Sequence, residues 1–260
     1  MKAMTLASRE AYIDSLELAA PPHGLVKVHR VRLSGAALRV AEDKTTANVD
    51  QGSLLSFVTG ITHQRREDVL DSTLLAQLAA TAACDRYKEA DKWYKKYIEV
   101  LETACSWVVQ EFKFSRYELS GDSFTVQDVV LKIIAAIASG NEKKAVEETL
   151  AALKALSDKD GRLVLFDQSG QKDGNGNFQI SACAESREGV AMKIGAFHFN
   201  SEEQTTRFLW FRYATSRSQI FTASEAMTLN EREYALHRDK IRAKLGKKID
   251  EYIDDLPLSG

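Results

Sequence analysis

Oxygen-bearing side chains at alternate positions are the first residues in this chain with the types and spacing for chemistry. Asp173, Asn175 and Asn177, at the end of a polar loop that starts at Asp167, repeat as the ligands of a calcium loop would. Counting from Asp173, the match fails at the sixth position. Phe178 stands there, where the sharp turn needs glycine. It fails again at the twelfth, where Ala184 replaces the bidentate glutamate. Asp, Gly and Asn are also what a tight hairpin needs for positive φ, so the loop reads first as a turn. No cofactor is expected.

The five histidines, His23, His29, His63, His198 and His237, are scattered, and no two lie at metal-ligand spacing. The chain has no HExxH, GxSxG, Walker or GxGxxG motif. An enzyme therefore requires a site assembled from distant residues, and the candidates are His198 with Arg207, Arg212 or Asp167. Cys84, Cys105 and Cys183 are odd in number and lack CxxC spacing, which reads as reduced structural thiols.

Charge patterning gives a third candidate. Arg238, Lys240, Arg242, Lys244, Lys247 and Lys248 stand against Asp239 alone between positions 238 and 248. Phased with Ile241 and Leu245, they describe a basic amphipathic helix, the kind that lies on anionic lipid or takes an acidic partner. Asp250, Glu251, Asp254 and Asp255 follow and oppose that field. Trp93 sits off the main apolar stripe of its segment, beside Lys92, Lys95 and Lys96. That position predicts an exposed tryptophan suited to a membrane interface or a partner surface.

These residues must be carried by regular elements. From Arg86 to Phe114 apolar residues recur at helical spacing with no proline or glycine, which predicts one long organising helix. It belongs to a helical block over 71–157, opened by Asp71 or Ser72 as a cap. Within the block Thr125 caps a helix onto which Phe124 staples, Gly140 closes that helix, and Asn141 caps the next. The hydrophobic period then changes from 3.6 to 2. Arg162 to Asp167, Phe178 to Ala182, Val190 to Phe199, Phe208 to Tyr213 and Arg217 to Thr222 read as about five antiparallel strands in a meander over 158–224. Asn230 with Glu233 makes a capping box for a long helix over 230–256, expected to lie across the sheet. Residues 1–70 read as strands and loops. Leu25 to Leu33 is a strand, Ala37 to Val40 has strand character, Tyr12 to Leu18 is a short helix or strand, and Ser53 to Ile61 is ambiguous.

The fold class is thus α+β, in a single domain over 1–260. A formal charge of −2 gives no basic excess for nucleic acid. The longest apolar run, Val129 to Ala138, falls short of the roughly 20 residues a membrane helix needs. Met1 to Glu10 lacks the apolar run of a secretory signal, so the chain is expected to be cytoplasmic and soluble when made, with any release by a route not visible in the sequence. The reading that joins these observations is a non-enzymatic, toxin-like or pore-forming protein acting on an anionic membrane or a protein partner. The alternatives are an enzyme built around His198 and an oligomeric scaffold in which the 231–255 stripe packs on a second copy.

Overall fold

The computed structural model describes residues 5–20, 42–109, 113–187, 189–203 and 205–258. Leu25 to Leu33 and Ala37 to Val40 lie outside the described residues.

The chain enters through α1 (Leu6–Ser15), whose cap Thr5 accepts from the Ser8 amide, so the ambiguous Tyr12 to Leu18 stretch is mostly helical. A hairpin of β1 (Thr46–Asp50) and β2 (Ser53–Phe57) follows. Then comes α2 (His63–Ala83), which starts earlier than the sequence suggests. Thr62 is its cap, while Asp71 and Ser72 are buried in its middle. The expected organising helix is cut to α3 (Ala90–Thr103). Ser106 takes a φ of 60°, a left-handed conformation that stops the helix. The apolar residues beyond it are drawn into β3 (Trp107–Val108), paired with a strand near the C-terminus.

After β4 (Ser115–Arg116) and β5 (Ser123–Thr125), Thr125 caps α4 (Val126–Ile137) as its spacing predicts. The next boundary differs from expectation. Gly140 does not close α4 but opens α5 (Gly140–Ala155), and Ser139 rather than Asn141 is the cap. The Ser139 amide donates to the Glu142 carboxylate at 2.6 Å. Residues 161–170, expected to begin as a strand, form α6 (Gly161–Gly170). Asp160 organises that start by accepting from the Arg162 amide and guanidinium at 2.7–3.0 Å.

The sheet strands come next: β6 (Gln171–Lys172), β7 (Asn175–Ser186), β8 (Gly189–Ser201), β9 (Arg212–Ala214) and β10 (Ser218–Leu229). Of the expected Phe208 to Tyr213 strand only the end survives, as β9, because the Trp210 amide folds back onto the Arg207 carbonyl. The single C-terminal helix is replaced by α7 (Glu231–Ala235), α8 (Arg238–Leu245) and α9 (Lys248–Tyr252), then β11 (Ile253–Leu256). Asn230 is the cap its spacing predicts, but Gly246 at a φ of 55° interrupts the run.

Among the described residues nine strands form one sheet in the order β11-β1-β2-β7-β8-β10-β3, with β4 on β10 and β6 on β7. It is larger than a five-strand meander, and its pairing is antiparallel except between β2 and β7. Strands β5 and β9 pair separately. Successive residues of a strand face opposite sides, and both sides of β7 are covered. Phe178 packs on Phe166 of α6 and on Phe197, Phe199 and Phe208, with ring centroids 5.0–6.4 Å apart. Gln179, the next residue, meets Tyr94 of α3 on the other side. Layers of α4–α6 and α2–α3 therefore enclose the sheet. The C-terminal helices pack on α1 and α2, not across the sheet.

Candidate functional site

The feature with most functional content is the centre of the sheet. Strands β7, β8 and β10 run 12, 13 and 12 residues. At the usual rise each is about 40 Å long, more than the roughly 30 Å of a bilayer's hydrocarbon core. Between them they carry Glu185, Lys193 and Glu225 as their charged residues, with His198 in β8.

On one side, Lys193 projects from β8 to the Glu142 carboxylate of α5 at 2.7 Å. Burial pushes the Glu142 carboxyl up, but bonds from Lys193 and the Ser139 amide outweigh it and hold its pKa below the ordinary carboxylate value. Near this pair a Cβ on Gly195 would come within 3.3 Å of Ile134, so the glycine lets α4 sit directly on β8. The Ser56 and Thr149 hydroxyls join α5 to β2 at 2.7 Å.

The other side carries a buried polar network. Arg86 donates to the Asn177 carbonyl at 2.9 Å, and the Asn177 amide returns to the Arg86 carbonyl at 2.6 Å. Tyr94 donates to the Phe178 carbonyl at 3.0 Å, and Gln179 is bonded both by Ser53 and to Tyr94.

The structure relocates most of the sequence-derived candidates. Trp93 is fully buried, contrary to the expected exposed aromatic. Its indole donates to the Thr81 hydroxyl at 3.0 Å and stacks on Tyr97 at 5.3 Å, with the Arg86 guanidinium 4.7 Å from its ring. Trp93 lies inside because α3 packs on α2 as well as on the sheet, so the face off the sheet-directed stripe is covered too.

The basic face on α8 is largely spent internally. Arg238 makes a bidentate pair with Asp68 at 2.7 Å, and Arg242 reaches Asp71 at 2.7 Å and Glu67 at 3.2 Å, all on α2. Lys240 pairs with Asp14 at 2.7 Å, and Lys244 donates to the Asp14 carbonyl. Among the described residues Lys247 and Lys248 have no ion pair.

Asp173 and Gly174 take φ of 52° and 76°, the type I′ geometry of a two-residue hairpin joining β6 to β7. Asn175 donates to the Asp173 carbonyl, and the Asn177 side chain is buried, donating to the Arg86 carbonyl and accepting from Gln179. The oxygens of Asp173, Asn175 and Asn177 therefore do not converge. Among the described residues no group of three or more His, Cys, Asp or Glu side chains is placed to hold a metal ion.

In the enzyme alternative, His198 is kept apart from Asp167, Arg207 and Arg212. His198 bonds the Gly176 carbonyl through Nδ1 at 3.0 Å and stacks on Phe221, and burial pushes its pKa down. It faces a cavity of about 490 Å³ beside Lys88, Asp91 and Phe114. The Arg207 backbone amide donates to the Asp167 carboxylate on the α6 side of the sheet, and Arg212 of β9 donates to the Ser123 hydroxyl of β5.

No family model matches this chain, and no curated protein does. Among the solved structures that are similar at low level, three illustrate the likeness. A delta-endotoxin aligns with a TM-score of 0.40 and 11% identity, over 81% of this chain and 91% of its own. Activated Cyt2Ba from Bacillus thuringiensis subsp. israelensis aligns at 0.32 and 12%, over 52% and 79%. The Evf virulence factor aligns at 0.37 and 13%, over 94% and 89%. Likenesses this weak leave the functional reading to this chain's own residues. Among the described residues no helix is long and apolar enough to cross a membrane.

Proposed function

We propose that this chain is a toxin-like protein that acts on membranes, with anionic lipid as its target and the strands β7, β8 and β10 as the segment that enters the bilayer. One observation carries the reading: three adjacent antiparallel strands, each longer than the roughly nine to eleven residues of a membrane-spanning strand, enclosed on both sides by helices. Backbone groups can enter lipid only when hydrogen-bonded, and these strands already satisfy one another along their full registers. Departure of α4–α6 would bare the apolar row Phe178, Ile180, Ala182 and Ala184 of β7. Several copies are then needed to close a barrel without open edges.

The test is dye release from neutral and anionic vesicles, with co-sedimentation alongside. Release from anionic vesicles is the expected result. Neither release nor co-sedimentation at any pH from 3 to 8 would overturn the reading.

A further inference from the structure

At the end of the sheet where β8 begins and β10 ends lies a cavity of about 540 Å³. It is lined by Arg65, Arg187 and Arg232 together with Val108, Asn230 and Glu231. The three arginines arrive from separate elements: α2, the β7–β8 turn and α7. Arg65 is held in place by Glu231, with Nε 2.7 Å from its carboxylate, and by Glu185. Arg187 and Arg232 are exposed, and among the described residues neither has an ion pair. The lining therefore holds three positive charges and the carboxylate of Glu231, with Arg65 anchored and Arg187 and Arg232 exposed.

We propose that this cavity is a binding site for a phosphate oxyanion. Guanidinium groups match such an anion because each offers parallel N–H donors in a planar fork. Anchoring of Arg65 by Glu231 and Glu185 lowers the ordering cost of the site, while Arg187 and Arg232 supply the uncompensated charge. The source can be a phospholipid headgroup or free phosphate. Val108, 63% exposed in the cavity wall, suits the headgroup because an apolar side chain would then face the acyl boundary. The site does not depend on pore formation, since it needs a surface contact and no rearrangement of the sheet.

The experiment uses the full chain, titrated with inorganic phosphate by calorimetry and co-sedimented with phosphatidylcholine vesicles with and without phosphatidic acid. The Arg187→Glu/Arg232→Glu variant is compared with native protein and with Lys247→Glu/Lys248→Glu, an equal charge change at a different element. Both substituted pairs are surface residues, and circular dichroism checks the fold. Binding weakened about tenfold or more in the arginine variant alone is expected, the size of at least one lost charge-assisted bond. Loss toward vesicles only assigns the headgroup, and loss toward phosphate only assigns the free anion. No binding by native protein, or equal loss in the lysine variant, overturns the proposal. Binding without dye release keeps the site and counts against the pore alone.

Discussion

Replacement of Glu142 by glutamine tests whether α5 is the removable cover of the sheet. The Glu142 side chain is 6% exposed and Lys193 25% exposed, and their charged groups meet at 2.7 Å. Glutamine keeps an oxygen for the Ser139 amide, so the loss is confined to the charge. Breaking a fully buried pair costs about 3–5 kcal/mol, but Lys193 can turn toward water. The expected destabilisation is therefore about 1.5–3 kcal/mol, the value of a hydrogen bond to a charged group. Lys193→Met should cost about 3 kcal/mol, because it strands a carboxylate with little access to water. The double variant should be less destabilised than the sum, with a coupling of about 1–3 kcal/mol. Urea unfolding followed by circular dichroism measures all three, and dye release is recorded on the same preparations. Glu142→Gln should release dye faster than native protein. The reasoning fails if both single changes stay within about 0.5 kcal/mol of native. It fails equally if stability drops while release is unaltered, since α5 would then not be the element that must leave.

Acid gives an independent handle on the same pair. A carboxyl whose pKa is depressed by folding contributes stability above its ordinary value, 4.5 for Glu142, and loses it as pH falls through the folded value. Release governed by this pair should stay flat from pH 5 to 8 and climb only below about pH 4.5, and Glu142→Gln should abolish that climb. On the opposite layer, Arg242→Ala removes one charged partner of the fully buried Asp71 and should cost about 1–3 kcal/mol in urea unfolding, whereas Lys247→Glu/Lys248→Glu should stay within about 0.5 kcal/mol. Trp93→Ala should lose about 3–5 kcal/mol, and quencher-labelled lipid should leave Trp93 fluorescence untouched until the helical layer opens. A thiol reagent should modify Cys84 in native protein but reach Cys105 and Cys183 only in denaturant, because burial both shields those thiols and pushes them up.

Local signals were readable from the sequence wherever a few neighbouring residues decide the outcome. Thr125 and Asn230 cap the helices their spacing indicates, the Asp173-Gly174 pair makes a tight turn, and the two-residue period after Asn175 is a strand. Long-range pairing was not readable. The Arg162 to Asp167 run is short enough to suit a strand or a helix, and only the Asp160 cap and packing on Phe178 decide for the helix. Ile253 to Leu256 looks like a helix tail, yet it pairs with β1 some two hundred positions earlier in the chain. The basic residues of α8 are plain in the sequence, but their acidic partners sit on α2, and nothing near 240 in the sequence announces them. The burial of Trp93 is not legible from one apolar stripe, because α3 meets both α2 and the sheet.

The parallel join between β2 and β7 divides the sheet into two antiparallel blocks, β11-β1-β2 on one side and β7-β8-β10-β3, with β4 and β6, on the other. Strands β1 and β2 are hairpin neighbours, as are β7 and β8, so their ladders close over short loops and should zip early during refolding. The join links residues more than a hundred positions apart, Leu54 against Ile180 and Phe57 against Cys183, and should form late. Together with the still longer-range β1–β11 pairing, it is the seam along which refolding kinetics are set. Ser53, which bonds Gln179 across it, is a residue whose removal should slow folding only if the seam is already closed in the transition state, and otherwise should speed unfolding.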